Sequence, residues 1–317
     1  IRTIMESKEV KNRFMATIYG QAIGDALGVG TEFMSKEEVQ RAYPDGLTRY
    51  DQIKGYHSSK IAKGDWSDDT DMMLCIAKAI IEDGGQVNEK TIARKFLDWA
   101  DSPRAHDIGN LTSRIVYSNG FLDHPSTIAR ETWEEGGRVN APNGGLMRTA
   151  VIGLLKDNVK ANAETACRVT HYDPRCVGSC VITSEIINSL VWHNKALTKD
   201  DIISIARKYD KRIVDYVKLA THLDIADLQL GVLGGSGYTL KCLSVVLWCY
   251  FHVEYFDRGL MAVVNEGGDA DTNAAPACAV MGAKFGLDGI PEYYIQNLLN
   301  KDKFDRIAEA LWQVVNQ

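Results

Sequence analysis

The stretch Gly64-Asp65-Trp66-Ser67-Asp68-Asp69-Thr70-Asp71-Met72-Met73-Leu74 passes from oxygen-bearing side chains to apolar ones within a few residues. A second stretch of the same kind, Glu266-Gly267-Gly268-Asp269-Ala270-Asp271-Thr272-Asn273-Ala274-Ala275, lies far downstream. Ser, Asp and Thr before an apolar run mark a helix N-terminus, so each cluster is expected to open a helix. Carboxylates this dense repel one another unless cations sit between them. Hydroxyl and carboxylate ligands, with no Cys or His inside either cluster, suit a hard ion such as Mg2+, Mn2+ or Ca2+ rather than zinc. A pair of plain N-caps is the simpler alternative, but one cap needs one oxygen. Each cluster offers more than that, which favours a metal site built from both.

Outward from these clusters the pattern is helical. Val10, Phe14, Ile18 and Ala22 recur at four-residue steps. Ile92, Phe96 and Trp99 share a face, as do Ile202, Ile205 and Tyr209, then Ile213, Val217 and Ala220, then Ile307, Leu311 and Val314. Sustained strand alternation is nearly absent. The segment from Ala226 to Tyr238 is the one candidate for extended chain, and its glycines favour a loop. Further loops are expected over Tyr43–Gly64, Pro103–Gly109, Gly136–Gly145 and Gly231–Gly237. No low-complexity linker divides the chain. The expectation is one compact all-α domain over residues 1–317.

The bulk numbers fit that expectation. Of 317 residues, 45% are hydrophobic and 25% charged, ordinary values for a soluble globular protein. A net charge of −6 without any basic run argues against nucleic acid as a partner. No apolar run approaches a membrane span and no signal peptide is visible, so neither a membrane nor secretion is expected. The seven cysteines, an odd number lying mostly in apolar stretches, read as reduced, buried thiols of a cytoplasmic protein. Cys176 and Cys180 share a helix face, but no second pair completes a zinc site.

Several smaller motifs carry open readings. Gly20, Gly24 and Gly28 line one helix face, where small residues admit a neighbouring backbone or a ligand. Asp25 inside that face needs a partner, and a metal-ligand network would supply one. Glu32 follows the expected helix end, either as a surface acid or as a mobile acid over a pocket. Asn143-Gly144-Gly145 precedes an apolar stretch expected to be helical, and its backbone N–H groups could meet an anion. Arg148 pairs with a phosphate or forms a structural bridge, and the helix direction favours the bridge. His171 in Thr170-His171-Tyr172-Asp173-Pro174 reads first as a hydrogen-bonded structural residue. Asp107 lies in a polar loop. Tyr238 heads an apolar helix that ends near Trp248 and can face a ligand.

In this order, GDALG and EF, GDWSDDTDMML, DIGN, NGGLMR, THYDP, SGYTLKCL and GGDADTNAA, the chain resembles the ADP-ribosylglycohydrolase family, the DraG-like ADP-ribosylhydrolases. The resemblance implies an all-α domain of orthogonal helices around a binuclear Mg2+ (or Mn2+) cleft. It implies metal-ligand roles for Ser67, Asp68, Asp69, Asp269, Asp271 and Thr272. It makes Glu32 the acid on a flexible flap and sets ADP-ribose against Asn143 and Gly144, with His171 lining the same cleft. The GGDADTN and Asp107-Ile108-Gly109 stretches look like the branch that frees ADP-ribose from arginine. Ser67 stands where Thr is commoner, and either presents a hydroxyl.

The resemblance therefore implies hydrolysis of an ADP-ribosylated protein with ADP-ribose as product. Two cations would clamp the ribose hydroxyls, Asp69 or Glu32 would act as general base, and Asp107 would hold the guanidinium. Gly145 and Tyr238 complete the expected substrate contacts. Hydrolysis of a serine-linked or other O-linked ADP-ribose is one alternative, and a catalytically silent ADP-ribose-binding protein is another. An acid facing the leaving group separates the arginine reading from the serine one.

Overall fold

The computed structural model of the chain describes residues 2–54 and 61–317. Residues 55–60 of the loop expected over Tyr43–Gly64 lie outside the described residues. Among the described residues there are fifteen α-helices and no strand. They are α1 (Arg2–Gly28), α2 (Lys36–Ala42), α3 (Asp68–Glu82), α4 (Glu89–Ala100), α5 (Asn110–Val116), α6 (Pro125–Glu135), α7 (Val159–Arg168) and α8 (Pro174–His193). Then follow α9 (Lys199–Arg207), α10 (Arg212–Leu219), α11 (Thr239–His252), α12 (Phe256–Val264), α13 (Ala270–Phe285), α14 (Glu292–Gln296) and α15 (Lys301–Val315). The chain is all-α, as its periodicity predicts.

Glycines set the helix contact on which the site depends. A Cβ on Gly20 would lie 2.2 Å from the carbonyl oxygen of Cys278, and one on Gly24 2.3 Å from that of Ala274. From the other side, a Cβ on Gly282 would lie 2.0 Å from the carbonyl oxygen of Ala16. These are clashes that only glycine avoids, so α1 and α13 meet backbone to backbone. The glycine face is thus a helix-packing face. Its consequence is chemical, because it presses Asp25 on α1 toward the first turn of α13.

Pro276 sits inside α13 and is buried. Proline has no N–H to give the carbonyl of Thr272, four residues earlier. The Cys242 thiol donates to that carbonyl instead, at 3.3 Å. The N-terminal turn of α13 keeps its carbonyls satisfied while Asp269, Asp271 and Thr272 project from it.

The expected apolar helix after Gly145 does not form as an α-helix. Two 3-10 turns, Leu146–Arg148 and Ala150–Leu154, take its place. Thr149, Val151 and Ile152 are β-branched, which weakens helix propensity. Gly153 also packs so tightly on α8 that a Cβ there would lie 2.7 Å from the carbonyl oxygen of Ser184. The stretch from Ala226 begins in a 3-10 turn (Ile225–Leu228), reverses at Gln229 with φ 54, and runs as a loop to Tyr238.

One hydrophobic cluster runs through most of the helices, from Phe14 on α1 to Val315 on α15. All seven cysteines are buried and free. Among the described residues no helix is long and apolar enough to cross a membrane.

Candidate functional site

The two oxygen clusters converge at the N-termini of α3 and α13. Ser67 caps α3, its hydroxyl accepting from the Asp69 N–H. The same hydroxyl donates to Asp25 at 2.7 Å and lies 3.2 Å from carboxylate oxygens of both Asp69 and Asp271. Across the gap, the Thr272 hydroxyl lies 3.1 and 3.2 Å from the two Asp69 oxygens. Oxygen atoms of Asp25, Asp69 and Asp271 lie within 4.8 Å of one another, and so do those of Glu32, Asp269 and Asp271. Asp271 belongs to both groups.

Asp25 has the partner that sequence reasoning asked for, and it is a helix end. Its Oδ2 accepts from the N–H groups of Ser67 (3.1 Å) and Thr70 (3.0 Å) and from the Thr70 hydroxyl (2.7 Å). A buried carboxylate on the orphan amides of a helix N-terminus is well placed against the helix dipole. Its role as anchor of α3 was not legible beforehand, because it depends on how α1 crosses α3.

Burial dominates the electrostatics. It pushes the Glu32 carboxyl up to about 8, with Asp269, Asp107 and Asp25 adding to the rise. Asp25 is raised to about 7 by burial, against the pull of its hydrogen bonds from Ser67 and Thr70. Asp68, Asp69 and Asp271 are raised well above the usual carboxylate range, first by burial and then by the charges of neighbouring carboxylates, Asp25 and Asp269 among them for all three. Such a group of carboxyls must hold protons or cations to stay together.

A cleft of about 410 Å3 opens over this floor. Glu32, Asp68, Asp107, Asn143, Gly144, His171, Asp269, Asp271 and Thr272 line it. The Asn143 amide donates to Asp269 at 2.8 Å, tying the glycine loop to α13. A Cβ on Gly144 would lie 2.8 Å from two atoms of the His171 ring, so the loop lies directly on the imidazole. His171 Nδ1 is 2.7 Å from the Thr170 hydroxyl, and burial first, then Arg148, holds its pKa well below the usual value. The ring is neutral at physiological pH and serves as a wall rather than a charge.

The chain just after Glu32 is held by two backbone hydrogen bonds. The Phe33 N–H donates to the Gly268 carbonyl at 2.7 Å, and the Gly268 N–H donates to the Met34 carbonyl at 2.8 Å. Gly268 has φ 67, and a Cβ there would lie 1.9 Å from the Leu230 carbonyl oxygen. The segment carrying Glu32 is therefore paired to the residue just before Asp269.

The remaining expected site residues lie off the cleft wall. Ser67 and Asp69 are buried beneath it. A Cβ on Gly145 would meet the Cys167 sulfur at 3.0 Å, on the interior side of the loop. Tyr238 supports that loop: it bridges to Pro142, and the Gly237 carbonyl accepts from the Asn143 N–H at 2.8 Å. Its hydroxyl accepts from Arg175 at 3.2 Å. Arg148 takes the structural role without a carboxylate partner. It is fully buried, donates to the carbonyls of Ala166 (3.0 Å) and Cys167 (3.4 Å), and lies 4.5 Å over the Phe96 ring. Asp71, counted in the first oxygen cluster, joins instead with Asp65 and Arg104, to which the sequence assigned no role, in one ionic network beside the cleft. Only the tryptophans flanking them hinted at a buried acid.

The donor set suits hard cations. Every side chain in the two carboxylate groups offers oxygen. Asp271 Oδ1 is buried with no hydrogen-bond partner, an unusual condition that a cation would relieve. The two groups share the Asp271 carboxylate.

Comparison with known proteins gives a consistent result. A family model described as ADP-ribosylglycohydrolase matches residues 6–317. An ADP-ribosyl-[dinitrogen reductase] glycohydrolase of Rhodospirillum rubrum is 28% identical, covering 93% of this chain and 92% of its own. ADP-ribosylarginine hydrolase Tri1 of Serratia proteamaculans is 23% identical, over 98% of this chain and 81% of its own. A solved structure titled ADP-ribosylglycohydrolase-related protein complex superposes with a TM-score of 0.73 at 24% identity, covering 97% of this chain and 99% of that one. That likeness concerns the fold.

Proposed function

Since the chain belongs to the ADP-ribosylglycohydrolase family, we propose that it is a metal-dependent hydrolase that cleaves the N-glycosidic bond between ADP-ribose and an arginine side chain of a modified protein. The observation that carries this reading is Asp107. Its carboxylate lines the cleft, its Oδ2 accepts from the Asp68 N–H at 3.3 Å, and its buried Oδ1 has no partner. An acid with a free oxygen matches the two-pronged donor edge of a guanidinium, whereas a serine leaving group has no cation to meet it.

Ser67, Asp68, Asp69, Asp269, Asp271 and Thr272 would hold two Mg2+ or Mn2+ ions, which when bound supply polarisation of a water and of the ribose hydroxyls. Asn143 and Gly144, stacked on neutral His171, would seat ADP-ribose. Glu32 lines the cleft and is the acid placed to take a proton from the attacking water. Asp69 is hydrogen-bonded by the Ser67 and Thr272 hydroxyls beneath the cleft, which supports the ligand role over that of general base. Cleavage returns a guanidine that must gain a proton, and the proton taken by Glu32 is the nearest source.

Matched ADP-ribosyl-arginine and ADP-ribosyl-serine peptides, incubated with Mg2+ or Mn2+ and with EDTA, test the proposal. Release of ADP-ribose from the arginine peptide, lost in EDTA, is expected. Preference for the serine peptide, or turnover that EDTA leaves intact, overturns it.

A further inference from the structure

Asp71 and Arg104 lie outside the cleft described above. Asp71 closes the SDDTD cluster, yet it does not line the cleft, and its carboxylate is held from three segments. The indoles of Trp66 and Trp99 donate to it at 2.8 and 3.0 Å, and Arg104 donates through Nε at 3.0 Å and Nη2 at 3.1 Å. Arg104 also reaches Asp65, through Nη1 at 2.6 Å, and the Trp66 carbonyl through Nη2 at 3.2 Å. Each nitrogen of its guanidinium is engaged, and both carboxylates it grips are nearly buried. A planar fork engaged on two carboxylates fixes position as well as charge.

Arg104 lies three residues before Asp107, in the loop that joins α4 to α5. Turn hydrogen bonds from Ala105 N–H to the Ser102 carbonyl (3.2 Å) and from Ile108 N–H to the Ala105 carbonyl (3.4 Å) keep the span between them short. The loop is thus tied to α3 at two points, through Arg104 on Asp71 and through Asp107 on the Asp68 N–H.

We propose that the Arg104–Asp71 pair is a positioning device that aims the Asp107 carboxylate at the leaving group and so sets the preference for arginine linkages. This rests on the functional reading above. The pair does not line the cleft, Asp71 meets Ser67 through the helix bond from its N–H to the Ser67 carbonyl at 3.2 Å, and the influence on Asp107 passes through the backbone of residues 104–107. A misplacement of an orienting group by about 1 Å is enough to cost on the order of 100-fold in rate.

Arg104→Lys keeps the charge and loses the fork, Asp71→Asn keeps the shape and loses the charge, and Arg104→Met loses both. Each is assayed with Mn2+ on ADP-ribosyl-arginine peptide alone and combined with Asp107→Asn, and ADP-ribose binding is measured by calorimetry. The expected result for Arg104→Lys is a loss of about 10-fold or more in kcat on the arginine peptide, ADP-ribose affinity within about 2-fold of wild type, and no further loss in the Asp107→Asn background. A purely structural role would lower ADP-ribose affinity too and would multiply with Asp107→Asn, and either outcome overturns the proposal. So does an Arg104→Lys enzyme with wild-type kcat. Should Arg104→Met fail to fold, Arg104→Lys and Asp71→Asn decide. A wild type inactive on the arginine peptide sinks the functional reading itself, whereas an active wild type with unaffected variants sinks only the positioning role.

Discussion

A Cβ on Gly28 would fall 2.5 Å from the Cα of Asp271. The last residue of α1 is therefore what lets the carboxylate shared by both oxygen groups approach the floor of the cleft. Gly28→Ala must push α13 away or strain both helices. The expected result is a stability loss of about 1–3 kcal/mol by chemical denaturation in EDTA. Mn2+ affinity by calorimetry should fall by about 10-fold or more, because displacing Asp271 spoils both groups at once. Unchanged affinity would separate the glycine contact from the site.

Asp271→Asn should abolish turnover and weaken metal binding, since it removes the carboxylate common to both groups. Asp68→Ala should do the same through the other helix. In metal-free buffer the Asp271→Asn protein should melt at least as high as wild type, about 1–3 °C higher, because a repelling carboxylate is gone. Near wild-type activity in either variant would show that the cations, if any, sit elsewhere.

Metal-free protein should lose stability as pH rises. Glu32 titrates near 4.5 in the unfolded chain and at about 8 in the fold, and Asp25 near 3.8 and about 7. Both folded values are raised, so the folded state holds protons that the unfolded chain has released. The stabilisation is complete below about pH 4 and is lost as pH climbs toward 8. Thermal melts in EDTA between pH 4 and 8 should therefore fall, and Mg2+ or Mn2+ should flatten the decline. A melting temperature that rises steadily over that range in EDTA would contradict the raised values.

Much of this was open to a reader of the sequence alone, and the reason is periodicity. α1, α4, α10 and α15 carry apolar residues at helical steps, and Ser67 and the Asp269–Thr272 run stand at helix starts as capping chemistry requires. What stayed hidden depends on contacts distant in sequence. Asp25 as the anchor of α3, Arg148 on main-chain carbonyls and the pairing of Phe33 and Met34 with Gly268 all arise where separate segments cross. The 3-10 turns after Gly145 escaped for another reason, since an apolar run reads the same for either helix type and packing on α8 decides.

Glu32→Gln should lower kcat strongly, by roughly 100-fold or more, while ADP-ribose still binds. The substitution keeps the size of the side chain and leaves its backbone pairing through Phe33 and Met34 intact. Equal losses in kcat/KM and in ADP-ribose affinity would point instead to a ground-state binding role. Steady-state rates on the arginine peptide, with calorimetry for the product, distinguish the two.

Leaving-group choice is the sharpest expectation. Asp107 has one oxygen on the Asp68 N–H and the other buried with no partner, and burial raises its pKa when the cleft is empty. A guanidinium seated there would satisfy that oxygen and restore the charged form. Losing a charge-assisted hydrogen bond costs about 2–4 kcal/mol, so Asp107→Ala should slow arginine substrates by roughly 30- to 1,000-fold. ADP-ribose affinity should change far less, because the product has no guanidinium. Asp107→Asn keeps the shape and should lose nearly as much, since an amide cannot pair with the cation. Wild-type rates on ADP-ribosyl-arginine in Asp107→Ala, measured at saturating Mn2+, would remove Asp107 from the leaving-group site.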